Sequence, residues 1–484
     1  MNVLLVASEC APFVKTGGLA DVVGALPKAL EPHGIESRVI LPLYPALKEL
    51  AGKARFEQDL GVLHGSPARL VCVEAQGISL ILLYAPGLYG RGAGIYLDES
   101  GKDWSDNAQR FAALCDAAVH VVREGLEGWQ PDILHAHDWQ AGLAPWYLRQ
   151  QGADIPCVLT IHNIAFQGLF PADLTDELKL DPAGFSPDGY EYYGQISYLK
   201  AGIVASRRIT TVSPTYASEL MSPEFGMGFD GLLQARRADL AGILNGIDLE
   251  VWDPGTDPAI AENYTMRTLK RKTVNRTALE KRFSLSSNPD APLFCVVSRL
   301  TEQKGLDLLL DALPTLVARG GRLALLGSGG SQLEEAFRKA AVAHAGSVGA
   351  IIGYDEKLSH LMQAGADAIL IPSRFEPCGL TQLYGLRYGT VPVVSRTGGL
   401  ADTVIDANDA ASKAGGATGV QFAPVTAAAL TDAIDRACTL FADRKRWASV
   451  MRNAMRHPVG WDSSAADYQA LFQSLLDSRS EAAG

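Results

Sequence analysis

Residues 373–382 place a carboxylate and a flexible glycine between an apolar, strand-like run and a helical pattern. In an open parallel sheet, ligands bind beside the loops that follow the carboxyl ends of the strands. Gly379 would let a ligand approach the backbone, and the N–H groups of Leu380 and Thr381 would meet an anion at the helix start. Glu376 would accept hydrogen bonds from sugar hydroxyls. The segment therefore predicts a site for a sugar and a phosphate together.

A second signal is an eight-residue sequence that occurs twice. Residues 16–23 read TGGLADVV and residues 397–404 read TGGLADTV, and each copy follows a basic residue, Lys15 or Arg396. Each copy also follows a strand-like run and predicts a glycine turn that opens a helix, as in phosphate-binding corners. A tight packing turn is the alternative for one Gly-Gly pair, but the shared basic residue favours anion binding. Two distant copies indicate two similarly built halves rather than a solenoid.

The composition is typical of a soluble globular protein with more than one domain. The chain has 484 residues, of which 47% are hydrophobic and 20% are charged, and its formal net charge is −11. This length exceeds what one hydrophobic core usually supports, and the negative charge disfavours nucleic acid as a partner. We expect neither a signal peptide nor a membrane span. The seven cysteines lack paired C-x-x-C spacing, which favours reduced, buried thiols in the cytoplasm.

Apolar runs alternate with helical patterns along the whole chain. The runs are rich in Val, Ile and Leu, which is typical of parallel strands that are buried on both faces. Two sets of alternating strands and helices predict two doubly wound, Rossmann-like domains of the α/β class. The predicted strands cover residues 3–8, 38–43, 79–84, 132–137, 157–162 and 208–213 in the first half, and 293–299, 322–327, 348–354, 368–373 and 390–396 in the second.

The predicted domain boundary follows from a change in composition. The first set of strands ends before a polar segment that contains Pro and Asp, and a basic helix leads into the second set. The last residues have the apolar spacing of one amphipathic helix. We predict an N-terminal domain over residues 1–244, a linker over 245–268, a C-terminal domain over 269–460 and a C-terminal helix over 461–484.

Short motifs along the chain occur in the order and at the separations of one enzyme family. They are KTGGLAD at residues 15–21, HAHDWQ at 135–140, TIHNIA at 160–165, NGID at 245–248, SRLTEQKG at 298–305, EPCGLT at 376–381 and RTGG at 396–399. With these motifs the chain resembles bacterial glycogen synthases, the ADP-glucose-dependent enzymes related to plant starch synthases. The resemblance covers essentially the whole sequence.

The resemblance implies a GT-B fold, in which two Rossmann-like domains face each other across a deep cleft. The N-terminal domain would serve the glucan acceptor and the C-terminal domain the ADP-glucose donor, and the final helix would pack back on the N-terminal domain. The implied reaction transfers glucose from ADP-glucose to the nonreducing 4-hydroxyl of an α-1,4-glucan such as glycogen, with retention at the anomeric carbon. ADP rather than UDP as carrier rests on the family alone. No cofactor, metal, nucleic acid or membrane is expected as a partner.

The resemblance also implies the catalytic residues. Arg299, Lys304 and, from the N-terminal domain, Lys15 would stabilise the negative charge that grows on the departing diphosphate. Glu376 would bind glucose hydroxyls and hold the ring. In a front-face mechanism the leaving phosphate would assist the incoming hydroxyl, so Glu376 need not be a nucleophile. His162 would lie near the anomeric carbon and the glucose 6-hydroxyl.

Further residues are implied in substrate binding. Tyr354 would stack on adenine, Asp138 would lie on the acceptor side, and Cys378 would shape the sugar pocket. Tyr96 and Trp139 would stack on glucan rings, or they would belong to the core; the sequence leaves both alternatives open. The remaining positions would contact phosphates or sugar, and they are Gly18, Asn163, Asn245, Gly379, Leu380 and Thr381.

Three other interpretations are weaker. His135 and His137 have the spacing of metal ligands on one strand face, but no further His or Cys cluster completes a site. A glucan phosphorylase shares the two-domain architecture, but it needs a lysine-bound pyridoxal phosphate, and this shorter chain carries none of its cofactor motifs. A non-catalytic glucan-binding protein is disfavoured because the implied catalytic residues are all present.

Overall fold

The computed structural model describes residues 1–483, with side chains described up to residue 479. The chain divides into two compact units. The first unit contains residues 1–212, residues 217–245 and the segment that begins at Trp461, and the second contains residues 213–216 and 246–460. Among the described residues, no helix is long and apolar enough to cross a membrane.

The first unit is built on a sheet with the strand order β12-β11-β7-β6-β1-β2-β5-β4-β3. The order β8-β10-β9 describes a smaller antiparallel sheet. In chain order the strands are β1 (Asn2–Val6), β2 (Glu36–Pro42), β3 (Phe56–Leu63), β4 (Ser66–Ala75), β5 (Ile78–Tyr84), β6 (Ile133–His137), β7 (Cys157–Ile161), β8 (Leu169–Pro171), β9 (Glu191–Tyr192), β10 (Gln195–Ser197), β11 (Arg208–Thr211) and β12 (Leu240–Gly242).

Helices flank this sheet. Up to residue 245 they are α1 (Gly18–Leu30), α2 (Lys48–Ala51), α3 (Pro86–Tyr89), α4 (Asn107–Glu124), α5 (Leu143–Gln150), α6 (Tyr198–Ala205), α7 (Pro214–Leu220) and α8 (Asp230–Ala235). Short 3-10 turns cover Glu31–His33, Pro45–Leu47, Trp139–Ala141, Ala172–Leu174 and Pro182–Gly184.

At one edge the large sheet departs from the parallel arrangement that is expected of the predicted strands. Strand β4 pairs antiparallel with both β3 and β5. Neither β3 nor β4 is among the predicted strands. Residues of β3 alternate between half-buried and exposed along most of its length, as expected of an antiparallel edge strand with one solvated face. Such a strand has no continuous apolar run in its sequence.

The second unit is a parallel sheet with the strand order β15-β14-β13-β16-β17-β18. Its strands are β13 (Leu293–Val297), β14 (Arg322–Gly327), β15 (Val348–Ile352), β16 (Ala368–Ile371), β17 (Val391–Ser395) and β18 (Val420–Phe422). Its helices are α9 (Lys272–Arg282), α10 (Leu306–Ala318), α11 (Ser331–Ala343), α12 (Glu356–Gly365), α13 (Thr381–Tyr388), α14 (Gly398–Thr403), α15 (Asp409–Ala414), α16 (Ala427–Ala442) and α17 (Arg444–Arg456), with 3-10 turns at Leu269–Arg271 and Glu302–Lys304.

The polar segment after residue 245 packs within the second unit. Its Trp252 ring stacks on His360 at 3.8 Å and on Tyr384 at 3.6 Å between ring centroids. At the other end of the chain, helix α18 (Asp462–Ala483) belongs to the first unit. Its Tyr468 ring lies 5.4 Å from the ring of His135 on β6.

Each large sheet has a point at which its strand order reverses. In the first unit this point lies between β1 and β6, and in the second between β13 and β16. Such a point opens a crevice at the carboxyl ends of the two strands, where doubly wound proteins bind ligands. Lys15 follows β1, Asp138 follows β6, Lys304 follows β13 and Glu376 follows β16. The fold thus brings predicted site residues to the reversal point of each sheet.

Candidate active site

Glu376 is a buried carboxylate in an ion pair. Its Oε2 lies 2.5 Å from Lys304 Nζ and accepts a hydrogen bond from Ser373 Oγ at 2.9 Å. The Glu376 side chain is 8% exposed and that of Lys304 is 18% exposed. Ser373 is fully buried, and its carbonyl oxygen accepts from Ser395 Oγ at 2.5 Å. Two residues that the sequence assigned to sugar and phosphate separately therefore form one charged pair.

A glycine permits this pairing. Lys304 ends the 3-10 turn after β13, and Gly305 follows it with a φ of 62°. A Cβ atom at Gly305 would lie 2.0 Å from the carbonyl oxygen of Pro372. The absence of a side chain lets the turn that carries Lys304 approach the strand end that leads to Glu376.

The predicted anion cradle lies at the start of α13. Gly379 has a φ of 69°, and a Cβ atom there would lie 2.4 Å from Gln382 Oε1. Gln382 Nε2 donates to the carbonyl oxygens of Cys378 at 3.0 Å and Gly379 at 2.8 Å. Leu380 is the N-cap residue and Thr381 the first residue of the helix, where backbone N–H groups have no intrahelical acceptor. The Gln382 side chain thus holds the loop in place through two of its carbonyl groups.

The two copies of the repeat have different surroundings. In the second copy, a Cβ atom at Gly398 would lie 2.0 Å from the carbonyl oxygen of Glu376, and the Gly399 N–H donates to that oxygen at 3.1 Å. This copy is a packing turn that supports the Glu376 loop. In the first copy, Gly17 is exposed and has no atom within 4 Å of an added Cβ. Only this copy leaves a helix start, at Gly18, open to a ligand.

Two further predicted residues lie at the same edge of the second sheet. Arg299 is exposed just after β13. Tyr354 follows β15, is 76% exposed, and its hydroxyl donates to Glu356 Oε2 at 3.0 Å. An exposed ring beside a strand end suits stacking on a flat ligand group. Both residues lie near the strand ends, and neither forms a described hydrogen bond with Glu376.

In the first unit, Asp138 stabilises the loop that carries His162. Asp138 has a φ of 57°, a left-handed conformation that is costly for a residue other than glycine. Its Oδ1 accepts from the His162 N–H at 2.6 Å. Burial raises the pKa of Asp138 to about 7, and hydrogen bonds from the backbone N–H groups of His162 and Asn163 oppose that rise. The carboxylate therefore fixes the backbone of two predicted sugar-binding residues.

The half-buried His162 lies in a row with two buried histidines, His135 and His137. His162 Nε2 lies 3.0 Å from His137 Nδ1, and His135 Nε2 lies 2.6 Å from Thr160 Oγ1. Burial lowers the pKa of both His135 and His162 to about 3 and holds that of His137 well below its usual value. His162 is therefore a neutral imidazole near pH 7. Among the described residues, no group of three His, Cys, Asp or Glu side chains could hold a metal ion.

Glu9 is a site residue that the sequence interpretation missed. It is buried, and its carboxylate accepts from the Thr16 N–H, from Thr16 Oγ1 at 2.6 Å and from the Gly17 N–H at 3.1 Å. It thus holds the loop that carries Lys15, whose Nζ lies 2.8 Å from Asp21 Oδ1. A carboxylate just after the first apolar strand was the available signal, the same one that indicated Glu376.

The two aromatic candidates differ in their surroundings. The Tyr96 hydroxyl donates to Glu9 Oε1 at 2.6 Å, which joins it to the site. The half-buried Trp139 ring packs against Phe111 at 4.9 Å between centroids and also contacts Phe170 and Tyr198.

Asn245, at the end of the first unit, is also buried. Within the described residues its Oδ1 has no hydrogen-bond partner. A buried amide oxygen without a partner is costly, which is consistent with a polar contact from a substrate.

Comparisons with known proteins agree with this architecture. A family model described as the starch synthase catalytic domain matches residues 2–235, and one described as glycosyl transferases group 1 matches residues 278–453. A glycogen synthase from Roseobacter denitrificans is 62% identical over 98% of this chain and 100% of its own length. The chain belongs to the glycogen synthase family. Glycogen synthase 1 from Rhizobium meliloti, a second relative of this family, is 55% identical over 98% of this chain and 99% of its own.

Solved structures extend the comparison. The catalytic domain of starch synthase IV from Arabidopsis thaliana, bound to ADP and acarbose, matches with a TM-score of 0.88 and 31% identity, over 98% of this chain and 99% of its own. A sucrose-phosphate synthase from Thermosynechococcus elongatus matches with a TM-score of 0.60 and 18% identity, over 99% of each chain, and shows the fold alone. The predicted GT-B fold, with two Rossmann-like domains, is confirmed for this member of the glycogen synthase family.

Proposed function

We propose that this protein transfers glucose from ADP-glucose to the nonreducing 4-hydroxyl of an α-1,4-glucan, with retention at the anomeric carbon, and so elongates glycogen. Full-length similarity to glycogen synthases supports the reaction, and the starch synthase bound to ADP and acarbose supports ADP as the nucleotide. The observation that carries the proposal is the Lys304–Glu376 pair at the reversal point of the second sheet. It offers a cation for phosphate and a carboxylate for sugar at one place.

In this reaction the bond from the anomeric carbon to a diphosphate oxygen breaks, and a bond to the acceptor O4 forms. The hydroxyl proton passes to the departing phosphate oxygen, which leaves with ADP. Negative charge grows on the diphosphate, so donors that are already in place lower the barrier. Lys304 Nζ has three N–H donors and uses one on Glu376, which leaves others for the diphosphate. Arg299, Lys15 and the N–H of Gly18 add donors to the same group.

Glu376 orients the donor sugar. Lys304 and Ser373 both bond Oε2, and we assign Oε1 to the glucose hydroxyls. The neutral ring of His162 serves the 6-hydroxyl, because it offers a hydrogen bond without adding charge near the anomeric carbon. Fixed positions for the reacting atoms supply much of the catalysis in such transfers.

Other residues complete the binding sites of the two substrates. Tyr354 stacks on adenine, and the backbone around Gly379 receives a phosphate or the sugar. The remaining proposed contacts are Tyr96, Asp138, Asn163, Asn245, Cys378, Leu380 and Thr381. We also place the protein in the cytoplasm: all seven cysteines are buried, and the chemistry of an intracellular polymer fits a reducing compartment.

A donor and acceptor panel tests the proposal. ADP-glucose and UDP-glucose are each offered with glycogen or maltooligosaccharides, and nucleotide release is measured together with the length and anomeric linkage of the product. We expect release of ADP and chains lengthened by α-1,4-linked glucose. Transfer from UDP-glucose alone, or hydrolysis without chain growth, would contradict the assignment.

A further inference from the structure

Three loops of the first unit present exposed apolar side chains. Phe166 is 52% exposed, Tyr193 is 81% exposed and Met227 is 38% exposed. The loops are tied together, because the carbonyl oxygen of Met227 accepts from Gln167 Nε2 at 3.1 Å and from the Tyr192 hydroxyl at 2.7 Å. We call Phe166, Tyr193 and Met227 the loop patch. Single exposed apolar residues are common, but three on connected loops indicate a contact surface.

The backbone of the loop patch is strained at two of its residues. Tyr193 has a φ of 46° and Gly194 a φ of 79°, and together they connect β9 to β10 where Tyr192 pairs with Gln195. Such two-residue connections favour Asn before Gly, and a tyrosine in the left-handed region is unfavourable. Met227 has the same φ of 46°. Neither exposed side chain recovers this cost by burial, so both are better explained by contact with a ligand than by folding.

The loop patch continues from the proposed sugar-binding loop. The Phe166 N–H donates to the Asn163 carbonyl oxygen at 3.2 Å, closing a turn that begins directly after His162. A glucan that reacts near His162 extends away as a row of pyranose rings with flat apolar faces. Aromatic side chains supply a rigid apolar surface for such faces, methionine supplies an adaptable one, and neither requires charge.

We propose that Phe166, Tyr193 and Met227 form an outer binding surface for the glucan chain, beyond the sugar that reacts. This inference rests on the proposed function and deepens it, since it names where the acceptor polymer is held. The surface binds the body of the glucan, so it sets affinity for long acceptors and leaves donor binding and the chemical step unaffected.

Tyr193→Asn should raise the stability of the protein while it lowers the affinity for glycogen. The variant places Asn-Gly in the turn, so its melting temperature should rise. Its affinity for glycogen should fall about tenfold, the effect of losing about 1.4 kcal/mol of contact. Phe166→Ala should show the same loss of affinity. Glycogen binding is measured by electrophoresis through gels that contain glycogen, without donor, and the KM for glycogen is measured separately from kcat and from the KM for ADP-glucose.

Val342→Ala is the matched control, because Val342 is 81% exposed in the second unit. It should migrate through glycogen gels as the parent does. Parental migration of both Tyr193→Asn and Phe166→Ala would refute the outer surface, whatever their activity. Failure of the parent to release ADP from ADP-glucose with glycogen would instead refute the proposed function, and the electrophoretic comparison would still decide whether the loop patch binds glucan.

Discussion

The Lys304–Glu376 pair makes a quantitative prediction. Lys304→Met keeps most of the aliphatic length but removes the ammonium group, and it leaves the buried Glu376 carboxylate with Ser373 as its described partner. Breaking one side of a buried ion pair costs about 3–5 kcal/mol, unless the carboxyl group takes up a proton. Loss of one charge-stabilising donor lowers turnover about hundredfold or more. Lys304→Met should therefore lose activity on that scale at saturating substrates.

The same pair predicts how two substitutions combine. If Lys304 and Glu376 acted independently, two hundredfold losses would multiply to about ten-thousandfold. Because their side chains are 2.5 Å apart, each single variant already disrupts the site of the other. The double variant Lys304→Met with Glu376→Gln should therefore be about as active as the worse single variant, a coupling of about 3 kcal/mol.

The assay is ADP release with glycogen as acceptor, measured for the parent, both single variants and the double variant. Lys339→Met is the control, because Lys339 pairs with Glu335 at 3.5 Å on the surface, where such pairs contribute little. A double variant whose loss equals the product of the single losses would refute the argument that the pair acts as a unit. A Lys304→Met enzyme within a few-fold of the parent would refute the site assignment itself.

Three further predictions follow from single residues. Glu9→Gln should raise the dissociation constant for ADP about tenfold, because the amide of Gln would place its own N–H groups against the Thr16 and Gly17 N–H groups that donate to Glu9. Calorimetric titration with ADP measures this constant, and an unchanged affinity would contradict the prediction. His135→Gln should make stability fall less steeply as the pH is lowered. Burial lowers the pKa of His135 to about 3, so between pH 6.5 and 3 only the unfolded chain binds a proton at this residue. The free energy of unfolding of the parent therefore falls by about 1.4 kcal/mol per pH unit from this group as the pH falls. Denaturant unfolding at pH 7.5 and 5 should show that difference between parent and variant. Gly305→Ala should destabilise the protein by about 1–3 kcal/mol, since its Cβ would meet the Pro372 carbonyl oxygen at 2.0 Å; an unchanged melting temperature would contradict this.

The predicted strands are observed because most of them are runs rich in Val, Ile and Leu. Strand Arg322–Gly327 was predicted with its observed bounds, and the other predicted strands differ by one to a few residues at their ends. The sequence also predicted that Glu376 lies on the loop after the carboxyl end of a strand, since it follows a strand-like run by a few residues. What apolar runs cannot detect is a strand with one solvated face, which is why β3 (Phe56–Leu63) was missed.

Side-chain pairings were beyond the sequence for a different reason. Lys304 and Glu376 are 72 positions apart, and their contact depends on the close approach that Gly305 allows. Glu9 was missed because it acts by accepting hydrogen bonds from the backbone N–H groups of Thr16 and Gly17. The residue types at these two positions do not reveal those contacts. The difference between the two repeat copies likewise arises from packing, because the residues that cover the second copy come from the Glu376 loop.

The three carboxylates at the reversal points differ in their hydrogen-bond partners. Glu9 and Asp138 accept from backbone N–H groups, so their oxygens are already engaged in fixing the loops that carry Lys15 and His162. The described partners of Glu376 are side chains, an ammonium and a hydroxyl, both on one oxygen. Side-chain partners shift with a ligand at far lower cost than backbone groups do, because they move by rotation about single bonds. Glu376 is therefore the carboxylate suited to meet the donor sugar, whereas Glu9 and Asp138 fix the loops that carry Lys15 and His162.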